Sequence, residues 1–289
     1  MSRTPAPDRA GGTGTGTGAA PPDGQPRRGR FDVRDRPELV LVPAVFVAVV
    51  LGWEYGTKLF DVPGYILPPP TEIVSTLSEQ LQSPRYWTHI WVTGREVILG
   101  FGLGCGSAFL LGVAVSQIRL VEKTIYPYVV AFQTVPKIAL APLLVIWFGF
   151  GMSSKVVMTA LVCFFPMIVN VIEGLRASDQ NQIEMLRSLD ASRFQIFRKV
   201  QIPNALPFIF AGLDIGVIFA VIGAVVGEFV GAQAGLGYLL LQNIYDFDTA
   251  GLFGALVTLS AMGLLGHVIV RALQRRFAFW SDSSQVVAA

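Results

Sequence analysis

Few side chains in this sequence of 289 residues have the type and spacing to perform chemistry. His89 and His267 are lone residues near the ends of apolar runs, and neither H-E-x-x-H nor G-x-S-x-G occurs, so metal-assisted hydrolysis and nucleophile-elbow catalysis lack their constellations. Cys105 and Cys163 stand far apart in apolar runs without C-x-x-C spacing, which reads as packing rather than ligation. The GTGTGTG run near the N-terminus is not followed by the Lys-Ser or Lys-Thr of a phosphate loop. No catalytic residue, metal site or cofactor is therefore expected, and any ATP-driven activity must draw its energy from another polypeptide. What remains is a set of polar and ionisable residues inside apolar runs: Gln133, Thr134, Lys137, Asn170, Asp214 and Glu228, with Arg95 and Glu96 at the start of another run. A charge at mid-membrane costs about 2.5–3.5 kcal/mol. Such groups line a pathway, meet a partner, pair with one another or sit at the interface, and the chemistry in question is recognition and passage.

The elements that position these residues are legible from hydropathy. With 52% hydrophobic and 15% charged residues and a mean hydropathy of +0.55, the chain reads as a membrane protein. Its formal net charge of +2 gives no ground for nucleic-acid binding. Residues 1–37, rich in Gly, Pro and Thr, have little to bury and read as a disordered cytoplasmic tail. They are no secretory signal, because the apolar run begins only near Leu39. A span needs about 20 apolar residues, and six candidates follow at about 39–57, 91–117, 125–149, 155–174, 206–230 and 250–272. The fold class is all-α with six transmembrane helices. Between the first two spans, Pro68 to Pro70 bar a helix, and Thr71 is expected to cap an amphipathic surface helix carrying Ile73, Leu77 and Leu81. Pro136 and Pro142 must bend or break the third span, with Gln133 and Thr134 available to satisfy freed backbone groups. Gly100, Gly102, Gly104 and Gly106 form small-x-x-x-small pairs that suit close helix packing.

Orientation follows from the loops. With the N-terminus inside, the inner loops and ends collect the tail arginines, Arg119, Lys123, Arg176, Arg187, Arg193, Arg198, Lys199, Arg271, Arg275 and Arg276, whereas the outer side receives Lys58, Arg85 and Lys155. Both termini are then cytoplasmic, and so is the loop over 175–205. In that loop Ile183, Leu186 and Leu189 recur at helical spacing up to Asp190. Ser192 with Gln195 makes a capping-box pattern for a second helix, with Phe194, Phe197 and Val200 on one face and Arg193, Arg198 and Lys199 polar, and Pro203 is expected to end it. Two readings stand: a hairpin lying on the membrane, or a knob presenting Met185, Leu186, Phe194 and basic side chains to a partner's groove.

These residues carry a resemblance. Glu184-Met185-Leu186, then Asp190, then Val200-Gln201-Ile202-Pro203 is similar to the EAA loop of ATP-binding-cassette importer permeases, in which Glu-Ala-Ala, three residues, Gly, nine residues and Ile-x-Leu-Pro follow one another. Met185 and Leu186 replace the alanines and Asp190 the glycine. ILPPPTEI, GREVILGFGLG, VPKIALAPLLVIWFGFG, SSKVV, FFPMIVN and GEFVGAQAGLGYL extend the resemblance, in order, to permeases for nitrate, aliphatic sulfonates and taurine, and to relatives for pyrimidine precursors of thiamine and for riboflavin. It implies a type I ABC importer permease fold (MetI-like) over 38–280, followed by a C-terminal tail at 281–289. It also implies a multi-pass protein of the bacterial cytoplasmic membrane, paired with a second permease subunit as a homodimer. ATPase subunits would dock on Glu184, Met185, Leu186, Asp190, Ser192, Arg193, Phe194, Phe197, Val200, Ile202 and Pro203, and an extracytoplasmic binding protein would deliver the solute. The glycines of GEFVGAQAGLGYLLLQ would form an outer turn leading to a short helix. The contrasting class is a self-sufficient carrier or channel driven by an ion gradient through the intramembrane acids.

Overall fold

The computed structural model describes residues 38–278, and the tail readings for 1–37 and 281–289 lie outside the described residues. By contacts the chain divides at Val49 and Val50, and the features below belong to the second unit unless α1 is named. The elements in chain order are α1 (Glu38–Leu59), α2 (Pro70–Gln82), α3 (Pro84–Gln117), α4 (Arg119–Gln133), a 3-10 turn (Lys137–Leu140), α5 (Ala141–Phe148), α6 (Met152–Arg176), α7 (Gln180–Ser188), α8 (Arg193–Ile196), a π turn (Phe197–Gln201), α9 (Ile202–Gly231), α10 (Leu236–Tyr245) and α11 (Thr249–Phe277). Among the described residues five helical runs are long and apolar enough to cross a membrane, beginning at Leu41, Pro84, Met152, Arg193 and Thr249. A sixth span is counted if α4 and the Lys137–Phe148 stretch are taken together, bent by 91°. The bend falls where proline chemistry puts it. Pro136 has no N–H to continue α4, and the freed end is closed by side chains: the Thr134 hydroxyl donates to the Ala131 carbonyl at 2.8 Å and the Lys137 ammonium to the Gln133 carbonyl at 2.9 Å.

The core is built where α3, α6 and α9 meet, and small residues set the spacing. A Cβ added at Gly104 would lie 2.4 Å from the Ala160 carbonyl oxygen, and one at Gly223 would lie 2.8 Å from the Thr159 Cα. Without a hydrophobic drive between helices in lipid, this close approach and its dispersion contacts provide the association. Gly100 and Gly104 sit on the packed face, whereas Gly102 and Gly106 face open space, so one of the two interleaved pairs makes the interface. Cys105 and Cys163 are buried free thiols, and the Cys163 thiol donates to the Gly216 carbonyl. Large apolar side chains such as Leu110, Ile146 and Leu264 point outward, as a lipid-facing surface requires.

Two local expectations are corrected, and one charge finds its partners. Thr71 does not cap α2: Pro69 takes that position, Pro70 begins the helix where a missing N–H is harmless, and the Thr71 hydroxyl donates instead to Glu54 on α1 at 3.0 Å. Pro203 does not end the second helix of the loop. The chain widens into the π turn, where the Ile202 N–H reaches back to the Phe197 carbonyl, and Pro203 falls in the first turn of α9, so the run from Arg193 to Gly231 is one span. Lys155, counted among the outer-side charges, lies in the first turn of α6. It is buried, its ammonium donating to the carbonyls of Phe150, Gly151 and Gly231 at 2.7, 3.0 and 2.9 Å.

Candidate functional site

The hairpin between α6 and α9 is held by its own chemistry. Asp179 opens α7 by accepting from the Asn181 N–H at 2.9 Å. At the other end Asp190 adopts φ of 56°, while the Asp190 N–H donates to Arg187 and the Ala191 N–H to Leu186 at 3.0 Å each. That is a Schellman closure with aspartate in the left-handed position usually held by glycine. Two residues on, the predicted capping box forms: the Gln195 N–H donates to the Ser192 hydroxyl at 3.3 Å and the Ser192 N–H to the Gln195 side chain at 2.7 Å. Ile183, Ile196 and Val200 form a small core, with Leu186 and Ala191 packed against it.

The sequence places Leu186 among the residues facing a partner; the structure turns it inward, because Ile183 and Leu186 share the α7 face that meets Ile196. Met185, Leu189 and Phe194 are instead 58%, 70% and 68% exposed. Leu189 was missed as a surface residue: periodicity groups it with Ile183 and Leu186, but the chain leaves the helix there. Glu184, Arg187, Ser192, Arg193, Arg198 and Lys199 are exposed around this apolar tip, as is Asp190. Phe197 packs towards the main core, together with Ile202. The result is a stiff knob with an apolar centre and a mainly basic rim, the composition of a docking surface.

A second constellation gathers at the 91° break. Gln133, Lys137 and Asn170 line a cavity of about 330 Å³ with Val162, Phe165, Pro166, Val169 and Phe219. The Lys137 ammonium lies 4.6 Å from the centroid of the Phe165 ring, a cation–π contact added to its bond to Gln133. The Asn170 amide donates to the Pro166 carbonyl at 2.8 Å. Thr134 is exposed beside the break rather than a wall of this cavity. No acidic side chain lines it, so the space combines aromatic walls with one ammonium and two amides, the usual make-up of a small-solute site.

Asp214 and Glu228 do not join that cavity. Asp214 on α9 pairs with His267 on α11 at 2.5 Å, so neither is solitary, and His267 lies well inside its helix rather than at a span end. Glu228 is 1% exposed. Its carboxyl accepts from the Thr93 hydroxyl at 2.6 Å, from the Gly237 N–H at 2.5 Å and from the Tyr238 N–H at 3.2 Å. It thereby holds the N-terminus of α10, where orphan amides and the helix dipole favour a negative group. Gly235 makes this approach possible: its φ is 126°, and a Cβ there would lie 2.2 Å from the Glu228 carboxyl carbon. The turn and short helix expected after Gly231 are thus present. Thr93, which also accepts from the Leu236 N–H at 2.7 Å, is a member of this cluster that periodicity does not single out, and Lys155 ties the start of α6 to the end of α9 at the Gly231 carbonyl.

Known proteins supply the context. A family described as "Binding-protein-dependent transport system inner membrane component" matches residues 100–279. The chain is 37% identical over 235 residues to the formylaminopyrimidine transport permease protein ThiX of Halalkalibacterium halodurans, covering 81% of this chain and 93% of that protein. It is 36% identical over 242 residues to the riboflavin transport system permease protein RibX of Chloroflexus aurantiacus, with 84% and 90% covered. To the putative aliphatic sulfonates transport permease protein SsuC of Bacillus subtilis it is 32% identical over 244 residues, with 84% and 87% covered. Among solved structures, a chain of the MetNI methionine ABC transporter in an inward-facing conformation superposes with a TM-score of 0.55 at 24% identity, covering 66% of this chain and 98% of that one, a likeness of fold alone.

Proposed function

This chain belongs to the family of binding-protein-dependent transport system inner membrane components, a non-catalytic multi-pass permease of an ABC importer, and from that premise we propose how its parts divide the work. The 175–205 hairpin is the cytoplasmic element gripped by the ATPase subunit. Met185, Leu189 and Phe194 enter the partner's groove, Glu184 and the basic residues set the rim, and the Ile183–Ile196–Val200 core keeps the knob stiff enough to transmit force. Both termini lie on that same side, in keeping with the excess of Lys and Arg there. Two copies of the chain pair as a homodimer, and Gln133, Lys137 and Asn170 line the route of the solute, with Thr134 beside the break. The solute is a small molecule of the sulfonate, pyrimidine or riboflavin-like class handled by the relatives, delivered by a binding protein. Residues 38–280 act as one permease domain between two tails. No observation favours the ion-driven carrier, since Asp214 and Glu228 are each engaged by protein partners.

The observation that carries the docking role is the exposed apolar tip on a doubly capped hairpin. Met185→Asp with Phe194→Asp is expected to weaken capture of the ATPase subunit at least about 30-fold, the scale of a lost hot spot, while the protein stays inserted. Undiminished capture in a pull-down contradicts the assignment. For the pathway, Lys137→Met is expected to cut uptake on the order of tenfold, the scale of one charge-assisted hydrogen bond, with the assembled complex recovered in wild-type amount. Unchanged uptake returns Lys137 to a purely local role at the break.

A further inference from the structure

A cavity of about 400 Å³ opens between α9 and α11 and differs in kind from the one at the break. Two glycines of α11 fix where it lies. A Cβ added at Gly266 would lie 2.5 Å from a Val217 methyl carbon, so the helices touch there, whereas one at Gly263 would meet only a Val221 methyl at 3.9 Å, and the helices have parted. Buried Leu259 and half-buried Val221 line the depth of the gap, and exposed Ile222 and Leu264 form its rims. It is a groove, open along one side and walled mainly by aliphatic groups.

The polar groups in this groove are already engaged. The Ser260 hydroxyl donates to the Leu256 carbonyl at 2.8 Å, and the His267 Nδ1 pairs with Asp214 on α9. A polar solute would lose its water there for little in return, and a hydrocarbon chain would not. From Leu256 to His267 the lining face of α11 rises about 16 Å at 1.5 Å per residue, close to half of a hydrocarbon core about 30 Å thick. The groove is one leaflet long. Arg271 and Arg275 continue the same helical spacing beyond His267, and both are exposed. Among the described residues neither forms a salt bridge, the three such pairs being Lys58 with Glu54, Arg176 with Glu122 and His267 with Asp214. A helix of a second copy would follow the whole span, whereas this gap closes where Val217 meets Gly266.

We propose that this groove holds one acyl chain of an anionic phospholipid, with the headgroup met by Arg271 and Arg275. The two halves of the site answer the two halves of the molecule. The aliphatic gap fits a single chain ending near mid-membrane, and the two guanidinium groups, which no carboxylate of the described residues neutralises, supply paired donors and charge for a phosphate. Each arginine near an anionic lipid surface contributes on the order of tenfold or less in binding, so the pair distinguishes an anionic headgroup from a zwitterionic one. The bound chain would fill the space that Gly263 leaves and brace α11 against α9.

The test titrates the full chain in detergent with phosphatidylglycerol or with phosphatidylcholine of the same acyl chains, counting bound lipid by native mass spectrometry. Wild type is expected to hold one phosphatidylglycerol per chain at least about tenfold more tightly than phosphatidylcholine. Arg271→Gln with Arg275→Gln is expected to bring the two lipids level, and Gly263→Phe, which puts a ring into the groove, to weaken both. Should Gly263→Phe fail to accumulate, the arginine variant and Leu264→Cys decide, the latter expected to form no disulfide between chains when oxidised in nanodiscs. Equal affinity of wild type for the two lipids, an undiminished preference in the arginine variant, full binding by Gly263→Phe, or a Leu264→Cys disulfide that places a second copy on the groove overturns the proposal.

Discussion

The two ends of α9 obey opposite rules. At its start the hairpin from Gln180 to Gln201 satisfies its backbone locally, through Asp179, the Asp190 turn and the Ser192–Gln195 box, and leaves Met185, Leu189 and Phe194 exposed. At its far end Glu228 is enclosed, and its partners come from α3 and α10. A motif closed within about 20 residues can keep its shape while its surface is given over to a partner. A buried carboxylate held by donors from two other helices, as Glu228 is, fixes those helices in place. Surplus apolar surface on a self-sufficient scaffold marks recognition, and a buried polar group bonded to distant helices marks positioning.

The contrast can be tested from both sides. The largest effect is expected in the packed helices: Gly104→Val drives a branched side chain into the Ala160 backbone, already 2.4 Å from a single added Cβ, and the cost exceeds about 3 kcal/mol. Loss of monodisperse protein on size exclusion checks it, and a well-behaved variant would show that α3 and α6 tolerate separation. A smaller effect separates the two faces of the hairpin. Leu186→Asp places a charge against the Ile183–Ile196–Val200 core and is expected to cost about 2 kcal/mol, so local hydrogen-exchange protection and ATPase capture fall together. Phe194→Asp alone should reduce capture and leave protection intact, and equal loss of protection in both would erase the distinction between core and tip. The smallest effect is at Asp190, where φ of 56° is held by a non-glycine residue. Asp190→Gly relieves that conformation and is expected to gain about 0.5–1 kcal/mol, read as slower amide exchange in α7; faster exchange would mean that the aspartate carboxyl itself stabilises the turn.

What could be read in the sequence follows the same division. Short-range features were legible: the capping box spans the four residues Ser192 to Gln195, the left-handed turn sits where aspartate replaces glycine, and Pro136 announces the break in the third span. Pro203 misled because a proline ends a helix only when the ladder before it cannot adjust, and here a π turn absorbs the missing donor. Leu186 and Leu189 exchanged roles because helical periodicity continues on paper beyond the residue where the chain turns. The contacts of Glu228 with Thr93, of Lys155 with Gly231 and of Asp214 with His267 join residues 135, 76 and 53 positions apart. Hydropathy tells that each must find a partner in the membrane, but the choice depends on the relative rotation of helices, which is set by glycine contacts between them.

The most direct test of the docking assignment is the thiol-labelling rate of Phe194→Cys, with a membrane-impermeant reagent, in inverted membrane vesicles with and without the co-assembled ATPase subunit. Cys105 and Cys163 are buried and serve as a silent background. Fast labelling that is strongly suppressed when the ATPase subunit is present is the predicted result. Labelling that occurs only in right-side-out vesicles, or that proceeds at the same rate in the assembled complex, contradicts the account.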